Sequence, residues 1–259
     1  MTDVRAKSWS ELQDLVFENS WQPSLSRFRS AYVFRGSPSV DHGLETSLQT
    51  GGFEEHEKHL LTSFRKYAMR HAVHGDWVWN WLSLAKHHGL PTRLLDWTYS
   101  PYVALHFATH DFGRFDVDGA IWCVDYRKTN ELLPDSLRSI LAAEDANLFT
   151  TEMLNRAATA LDEFDALADH DFVLFFEPPS LDDRIVNQFA LFSLPSSATL
   201  RLDELLRRRE ANYRRVIIPA SLKWEIRDKL DQANITERVL FPGLDGLSQW
   251  LKRYFTTRK

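Results

Sequence analysis

Hydrophobic and polar positions follow one another along this chain in short blocks, most of which fit the period of a helix or of a strand. Near the N-terminus, Ser8 and Glu11 have the spacing of a capping box ahead of an amphipathic stretch, which predicts a helix. Short apolar runs predict strands at residues 32–34, 119–125, 172–176, 189–193 and 216–218. Amphipathic stretches predict helices at residues 54–74, 76–88, 222–230 and 244–254.

This mixture of helices and strands, without an internal repeat, predicts the α+β class, with a mixed sheet core surrounded by helices. A chain of 259 residues is close to the upper size of a single hydrophobic core, and no Gly/Ser-rich or Pro-rich linker divides it. We therefore expect one domain over residues 1–259. Its parts are a helical N-terminal segment 8–20, a core 31–125, an acidic helical segment 131–170 and a C-terminal α/β segment 172–259.

Composition is typical of a soluble protein. Hydrophobic residues make up 44% and charged residues 26%, and no apolar run approaches the roughly 18 residues that a membrane helix needs. The polar N-terminus lacks the apolar core of a secretory signal, so we expect a cytoplasmic protein that does not enter a membrane. Cys123 is the single cysteine of the sequence and lies in a predicted buried strand, where we expect it to pack rather than to react.

Charge is unevenly distributed along the chain. The net charge is −5, yet residues 131–183 carry 13 acidic and 2 basic side chains, a net of −11 that leaves the remainder at +6. The arginines between residues 201 and 215 offer a basic footprint for phosphates, and Trp77, Trp79 and Trp81 offer rings for stacking. Together they suit single-stranded DNA or RNA. The alternative interpretation is that these charges are solvated helix faces.

The most informative stretch follows the second predicted helix, where residues 87–101 read HHGLPTRLLDWTYSP. Gly89 ends the helix, and the polar residues after it predict a loop. Ser100 suits the N-cap, and Pro101 the first position, of the apolar helix that follows. A polar loop therefore leads into a buried helix.

The tripeptide Phe34-Arg35-Gly36 follows the first predicted core strand, which places Arg35 at a strand end. Together with the run at 89–98, the Arg184 and Gln188 element and the closing motif at 240–247, it closely resembles the FRG domain family, which is named for this tripeptide. The resemblance extends over nearly the whole chain.

Two positions depart from the family pattern. Lys86 stands where glutamine is usual, and Ala190 stands where glycine is usual. Both lie close in sequence to candidate site residues, so we expect them to alter the ligand pocket.

The order of elements is also similar, more distantly, to that of arginine-class ADP-ribosyltransferases. Those enzymes carry an Arg-Gly strand, then a strand with Thr or Ser before a helix, then a strand with a polar or acidic residue. Arg35, Thr98 with Ser100, and Gln188 take these places here, without the usual third-element glutamate. The resemblance implies an ADP-ribosyltransferase-like sheet and NAD as substrate without a metal. It also implies mono-ADP-ribosylation in a toxin or phage-defence setting, with a DNA or RNA base as one candidate acceptor.

The same resemblance assigns residues to roles. The catalytic candidates are Arg35, Asp96 and Gln188. The NAD-binding candidates are Arg35, Gly36, His88, Thr92, Arg93, Trp97, Thr98, Ser100 and Arg184. Arg35 has the bidentate fork that grips phosphate, Asp96 can stabilise positive charge on the ribose, and Trp97 can stack on nicotinamide, as can Tyr99.

Other chemistries fit the sequence less well. Three histidine pairs have helical spacing but no third metal ligand nearby, namely His56/His59, His71/His74 and His106/His110. The sequence also lacks the Gly-x-Ser-x-Gly elbow of serine hydrolases and the Gly-x-x-x-x-Gly-Lys loop of nucleotide kinases. Two alternatives stay open. One is a non-catalytic module that binds a nucleotide or nucleic acid in the same pocket, and the other is a scaffold in which the signature charges only pair with one another. The acceptor and the oligomeric state also stay open.

Overall fold

The computed structural model describes residues 3–69, 75–180, 182–208 and 213–257. The strands are β1 (Asp3–Arg5), β2 (Trp21–Gln22), β3 (Arg27–Phe28), β4 (Tyr32–Ser37), β5 (Leu95–Thr98), β6 (Gly119–Asp125), β7 (Phe149–Thr150), β8 (Val173–Glu177), β9 (Ala190–Pro195) and β10 (Tyr213–Ile218). The helices are α1 (Trp9–Phe17), α2 (Ser47–Gly51), α3 (Glu57–Ala68), α4 (Val78–His87), α5 (Pro101–Ala108), α6 (Tyr126–Asn130), α7 (Asp135–Ala143), α8 (Thr151–Ala157), α9 (Leu161–Asp165), α10 (Asp183–Asn187), α11 (Leu202–Arg207), α12 (Lys223–Gln232), α13 (Glu237–Leu240) and α14 (Leu244–Tyr254).

One large sheet organises the molecule. Among the described residues, eight strands join it in the order β1-β10-β6-β4-β5-β9-β8-β7, while β2 and β3 form a separate hairpin. The outer pairs β1/β10 and β7/β8 are parallel, and the inner neighbours are antiparallel. A mixed sheet with helices around it confirms the α+β class. The two strands that carry the sequence motifs, β4 and β5, lie at its centre.

Apolar clusters cover both faces of the sheet, because successive residues of a strand point to opposite sides. One face carries a single cluster that includes Trp122 and the leucines of α11. The other face carries two clusters, one around Phe192 beneath α4 and α8, and one around Cys123 beneath α5 and α12. Asp96 is paired with Phe192 in the register of β5 and β9, so it belongs to this second face. β5 thus presents a carboxylate between two apolar clusters.

Most predicted elements are present, and the main differences concern the two motifs. Ser8 caps α1 as predicted, and α14 has the predicted limits. β4 continues through Arg35 to Ser37, so Arg35 lies inside a strand and not at its end. The stretch after Gly89, predicted as a loop, contains β5, because these residues pair with β9 about 95 positions along the chain.

The acidic segment 131–170 folds mainly into the helices α7, α8 and α9, as predicted. Cys123 is fully buried in β6, and burial raises the pKa of its thiol, so it packs in the core as expected. Within the described ranges, none of the helices combines the length and the apolar character that crossing a bilayer requires.

Candidate functional site

Four of the predicted site residues line one cleft on the sheet face that carries Asp96. The cleft has a volume of about 400 Å³ and lies between the end of α4, the strands β5 and β9, and the helix α10. Its lining residues are Lys86, His87, His88, Gly89, Asp96, Arg184, Ile185, Gln188, Ala190 and Phe192. Of the predictions, it therefore brings together His88, Asp96, Arg184 and Gln188.

One carboxylate joins the two walls of the cleft. α4 ends at His87, and the chain then turns through Gly89, whose φ of +82° is a left-handed conformation that glycine adopts without strain. Asp182 caps α10 by accepting a hydrogen bond from the Ile185 N–H at 3.1 Å. It also lies 2.5 Å from His87 Nε2. Burial outweighs the Asp182 charge and lowers the pKa of His87, so a neutral imidazole can donate from Nε2 to Asp182.

Asp96 is the carboxylate at the centre of the cleft. Its side chain is 54% exposed, and its Oδ2 lies 2.9 Å from Lys86 Nζ and 3.9 Å from Arg35 Nη1. Desolvation raises the pKa of Asp96, but the charges of Lys86, Arg35 and Arg184 outweigh desolvation and leave that pKa below its ordinary value. The carboxylate is therefore ionised at neutral pH, in a surplus of positive charge.

Arg35 reaches Asp96 from the neighbouring strand. The register of β4 with β5 contains one pair, Phe34 with Thr98. Next to that pair, Arg35 Nη1 donates to the Asp96 carbonyl oxygen at 2.7 Å, so a side chain joins the two strands where the ladder stops. Desolvation lowers the pKa of Arg35 more than Asp96 raises it, but an arginine keeps its charge at neutral pH.

α10 supplies Arg184 and Gln188, which have different surroundings. The Arg184 guanidinium lies 4.8 Å from the centre of the Phe241 ring, which holds it at the edge of the cleft. Gln188 Nε2 donates to the Leu240 carbonyl at 2.9 Å, and the Gln188 carbonyl accepts from Thr98 Oγ1 at 2.7 Å. Gln188 therefore lines the cleft with its amide nitrogen bound to the closing motif, and its catalytic role stays a prediction.

Arg93 and Thr92 lie in the core and not in the cleft, which corrects their predicted role in NAD binding. Arg93 is 2% exposed and forms a bidentate pair with Glu57, with Nε to Oε2 at 2.8 Å, and a second pair with Asp165. Thr92 is 1% exposed, and its backbone bonds to Ser47 at the start of α2. These residues join helices and strands and leave no group free for a ligand.

Trp97, Thr98 and Ser100 also have structural partners. The Trp97 ring is 2% exposed, packs edge-on against Phe175 and donates from Nε1 to Ser193, so it cannot stack on a nicotinamide. The Thr98 hydroxyl is buried between two backbone partners. Ser100 caps α5 through the Val103 N–H at 3.4 Å, which confirms the predicted cap but corrects the predicted contact with ribose.

Gly36 and Tyr99 are likewise committed to the fold. A Cβ on Gly36 would lie 1.9 Å from the Ala104 carbonyl oxygen, so the glycine lets the backbone of α5 approach β4. The expected close approach is that of a helix and not of a ligand. Tyr99 donates its hydroxyl to Glu177 at 2.6 Å and is not among the residues that line the cleft.

Sequence reasoning missed Lys86, His87 and Asp182 as members of this site. Lys86 and Ala190, the two departures from the family pattern, both line the cleft. Their departure from the family pattern was therefore a sequence signal for this site. Lys86 matters most, because its ammonium is the positive group nearest the Asp96 carboxylate.

Most of the residues expected to form a nucleic-acid surface have other partners in the structure. Trp79 and Trp81 are 0% and 3% exposed and belong to the core, whereas Trp77 is partly exposed. Each described arginine of the stretch 201–215 has a carboxylate partner, the pairs being Arg201–Glu45, Arg207–Asp203, Arg208–Asp171, Arg214–Glu18 and Arg215–Asp3. Charges neutralised in this way provide little attraction for phosphates.

A cavity of about 680 Å³, larger than the cleft, lies elsewhere and contains none of the predicted site residues. It is mostly apolar, with Phe107, Phe112 and Phe241 in its walls. No three His, Cys, Asp or Glu side chains of the described ranges are grouped so that they can hold a metal ion. His71 and His74 lie outside the described residues.

Comparison with known proteins identifies one family. Searches among curated proteins and among solved structures gave no match. Residues 30–116 match the FRG domain, a segment that includes β4, α4, β5 and α5 and therefore Arg35, Lys86 and Asp96. Arg184 and Gln188 lie beyond the matched segment. The chain contains an FRG domain at residues 30–116, as its Phe34-Arg35-Gly36 tripeptide predicted.

Proposed function

We propose that this protein is an NAD-dependent mono-ADP-ribosyltransferase that uses the cleft as its active site. The observation that carries the proposal is the strand order. β4, β5 and β9 are neighbours in the sheet, although they are far apart in sequence. Asp96 of β5 lines the cleft together with Arg184 and Gln188, which precede β9, and Arg35 of β4 reaches to 3.9 Å from the Asp96 carboxylate. The likeness to arginine-class transferases places the segments of Arg35, of Thr98 with Ser100, and of Gln188 around NAD.

The charges of the cleft suit both the binding of a pyrophosphate and the cleavage of the bond between ribose and nicotinamide. Lys86, Arg35 and Arg184 place three positive charges at or near the cleft against the two carboxylates of Asp96 and Asp182, and this excess of positive charge favours a pyrophosphate. When the bond between ribose and nicotinamide breaks, nicotinamide leaves with the bonding electrons and positive charge develops on the ribose. The Asp96 carboxylate can stabilise that charge. An acceptor nucleophile then bonds to the same ribose carbon and releases its proton.

The size of the cleft is compatible with a nucleotide. Its volume of about 400 Å³ falls within the range of ligand pockets, roughly 300–1,000 Å³. Asp96 lies on β5, a central strand of the sheet, and this rigid position favours precise placement of a reacting bond. DNA, RNA and protein are the three candidate classes of acceptor.

A second candidate is a non-catalytic module that binds a nucleotide in the same cleft. The hydrogen bond from Gln188 to Leu240 favours it, because it occupies the amide nitrogen of the residue that takes the third place in the likeness. The pairing of Asp96 with Lys86 points the same way, since a neutralised carboxylate is less able to stabilise a developing positive charge.

One experiment separates these two functions. The protein is incubated with NAD labelled on the adenylate, with single-stranded DNA, RNA or cell lysate as acceptor, and both nicotinamide release and label transfer are measured. Transfer to one acceptor class, lost in Asp96→Asn but kept in Arg208→Gln, supports the transferase. Arg208 is the matched control because it is exposed and pairs with Asp171, away from the cleft.

Binding of NAD without nicotinamide release or transfer to any acceptor would overturn the enzyme in favour of the binding module. Failure of NAD to bind at all would instead favour the third hypothesis, in which the domain is a scaffold without a ligand. The scaffold hypothesis further requires Arg35→Ala to lower thermal stability, because Arg35 bonds to the Asp96 carbonyl, and Asp96→Ala to lower it through loss of the ion pairs with Lys86 and Arg35.

A further inference from the structure

We propose that an apolar pocket beside the cleft holds the planar heteroaromatic ring of a ligand whose phosphate lies in the cleft. The proposal rests on the proposed function only for the phosphate half. The pocket has a volume of about 470 Å³ and lies between α3 and the end of α4. Its lining residues are Leu60, Ser63, Phe64, Tyr67, Ala68, Leu84, His88 and Leu90.

The lining has the composition that a ring requires. Leucines provide apolar walls, Phe64 and Tyr67 provide aromatic faces, and Ser63 and the His88 imidazole provide polar groups. Tyr67 is 80% exposed, so its ring is not committed to the core. Pockets for small molecules commonly combine apolar surface with a few polar groups in this way, and stacking on aromatic side chains suits any planar base.

The pocket and the cleft share a wall. The turn after α4 separates them: His87 and Gly89 line the cleft, Leu90 lines the pocket, and His88 lines both. The left-handed Gly89 allows the chain to reverse between the two spaces. The exposed His88 packs edge-on against His87 with ring centres 5.1 Å apart. A ligand that passes His88 therefore has access to both spaces.

The chemistry changes across this wall. On one side Lys86 and Arg184 line the cleft and attract negative charge, and on the other the lining contains no lysine, arginine, aspartate or glutamate. A ligand with a phosphate next to a planar ring complements both sides at once. Adenine and nicotinamide nucleotides share this chemistry, and the experiment distinguishes between them.

The test fills the pocket without touching the cleft. Ser63 is exposed on α3 and lines the pocket, whereas its exposed neighbour Thr62 does not, so Ser63→Phe and Thr62→Phe form a matched pair. Binding of adenosine monophosphate, nicotinamide mononucleotide and inorganic pyrophosphate is measured by calorimetry. We expect Ser63→Phe to weaken one of the two mononucleotides at least tenfold, to leave pyrophosphate binding unchanged, and Thr62→Phe to behave as wild type. The affected mononucleotide identifies the ring.

Equal binding of both mononucleotides by Ser63→Phe and wild type would overturn the proposal, as would equal losses in Ser63→Phe and Thr62→Phe. Wild-type protein that binds pyrophosphate but neither mononucleotide would overturn it too, while leaving the cleft as a phosphate site. If a mononucleotide binds in the expected way but NAD releases no nicotinamide, the pocket stands and the transferase fails.

Discussion

Two clusters of charged residues arise from the same short stretch of sequence, and one is buried in the core while the other is exposed at the cleft. Arg93 is buried with Glu57 and Asp165, while Asp96, three residues later, lies 54% exposed between Lys86 and Arg35. We refer to the first as the buried cluster and to the second as the cleft cluster. Both contain arginine and carboxylate groups, so residue type does not distinguish them, although Arg93 Nη2 lies 2.5 Å from Glu57 whereas Arg35 Nη1 lies 3.9 Å from the Asp96 carboxylate.

Solvent and completeness of pairing make the difference. In the buried cluster, Arg93 uses its Nε and both terminal nitrogens on two carboxylates, and these hydrogen bonds raise its pKa despite the burial that lowers it. In the cleft cluster, Lys86 and Arg184 line an open cavity with Asp96, and Arg35 approaches the same carboxylate from the neighbouring strand. Removing one partner of a complete buried pair strongly destabilises a fold, whereas an incompletely paired group at an open cavity can take a ligand.

The largest expected effect is on stability, from the buried cluster. Glu57→Ala removes the bidentate partner and leaves the Arg93 charge buried, which should lower the free energy of unfolding by about 3–5 kcal/mol. Urea denaturation measures it. Lys58→Ala, next to it on the exposed side of α3, should change stability far less. A loss as small as that of Lys58→Ala would abolish the distinction between the clusters.

Asp96→Asn should change stability little and lower activity strongly, the reverse of Glu57→Ala. Because the side chain is 54% exposed, the free energy of unfolding should change by less than about 1 kcal/mol. Nicotinamide release should fall about 100-fold or more, since the charge that stabilises the ribose is lost. Pyrophosphate should bind at least as tightly as before, because a repelling carboxylate has gone. Large destabilisation with normal release would make Asp96 a structural residue like Arg93.

Thr98→Val tests a residue that the sequence placed in the site and the structure places in the core. Its hydroxyl donates to the Gln188 carbonyl and accepts from the Ser100 N–H, so its loss should cost about 1–3 kcal/mol of unfolding free energy. Ligand binding by the folded protein should not change. Thr62→Val on the surface of α3 is the control. Weaker ligand binding by Thr98→Val without destabilisation would show that Thr98 contacts the ligand.

Lys86→Gln gives the smallest expected effect and depends on pH. The depressed pKa of Asp96 means that its pairing is complete above the ordinary aspartate pKa and is lost as pH falls through the lower folded value. Without Lys86, the pKa of Asp96 should rise, and the acid limb of nicotinamide release should move to higher pH. Pyrophosphate binding should weaken about threefold to fivefold, on the order of 1 kcal/mol. An unchanged pH profile would separate Lys86 from Asp96.

Local elements were the most predictable part of the fold. β6 and α14 have the predicted limits, and the caps at Ser8 and Ser100 are present, because an N-cap depends on residues two or three positions away. β5 was predicted as a loop, since its pairing with β9 joins residues about 95 positions apart. Long-range pairing leaves little trace in a short window of sequence.

Within the candidate site, the sequence identified Asp96, Arg184 and His88 but could not tell them from Arg93 and Trp97. The signature motif brings all of these types together, and a resemblance treats its polar residues alike. Burial separates them: Arg93 and Trp97 are 2% exposed, and Asp96 is not. Lys86 was visible as an unusual residue, but its contact with Asp96 was not.

The sequence by itself determined the α+β class, the FRG domain, the helix that starts at Ser100 and the turn at Gly89, because these depend on neighbouring residues and on backbone preferences. Only the tertiary structure decided which charges of the signature are buried and which face a cleft. Glu57, Lys86 and the strand β9 reach the motif from elsewhere in the chain. A side chain's exposure is set by such non-local packing, and its own type and neighbours do not fix it.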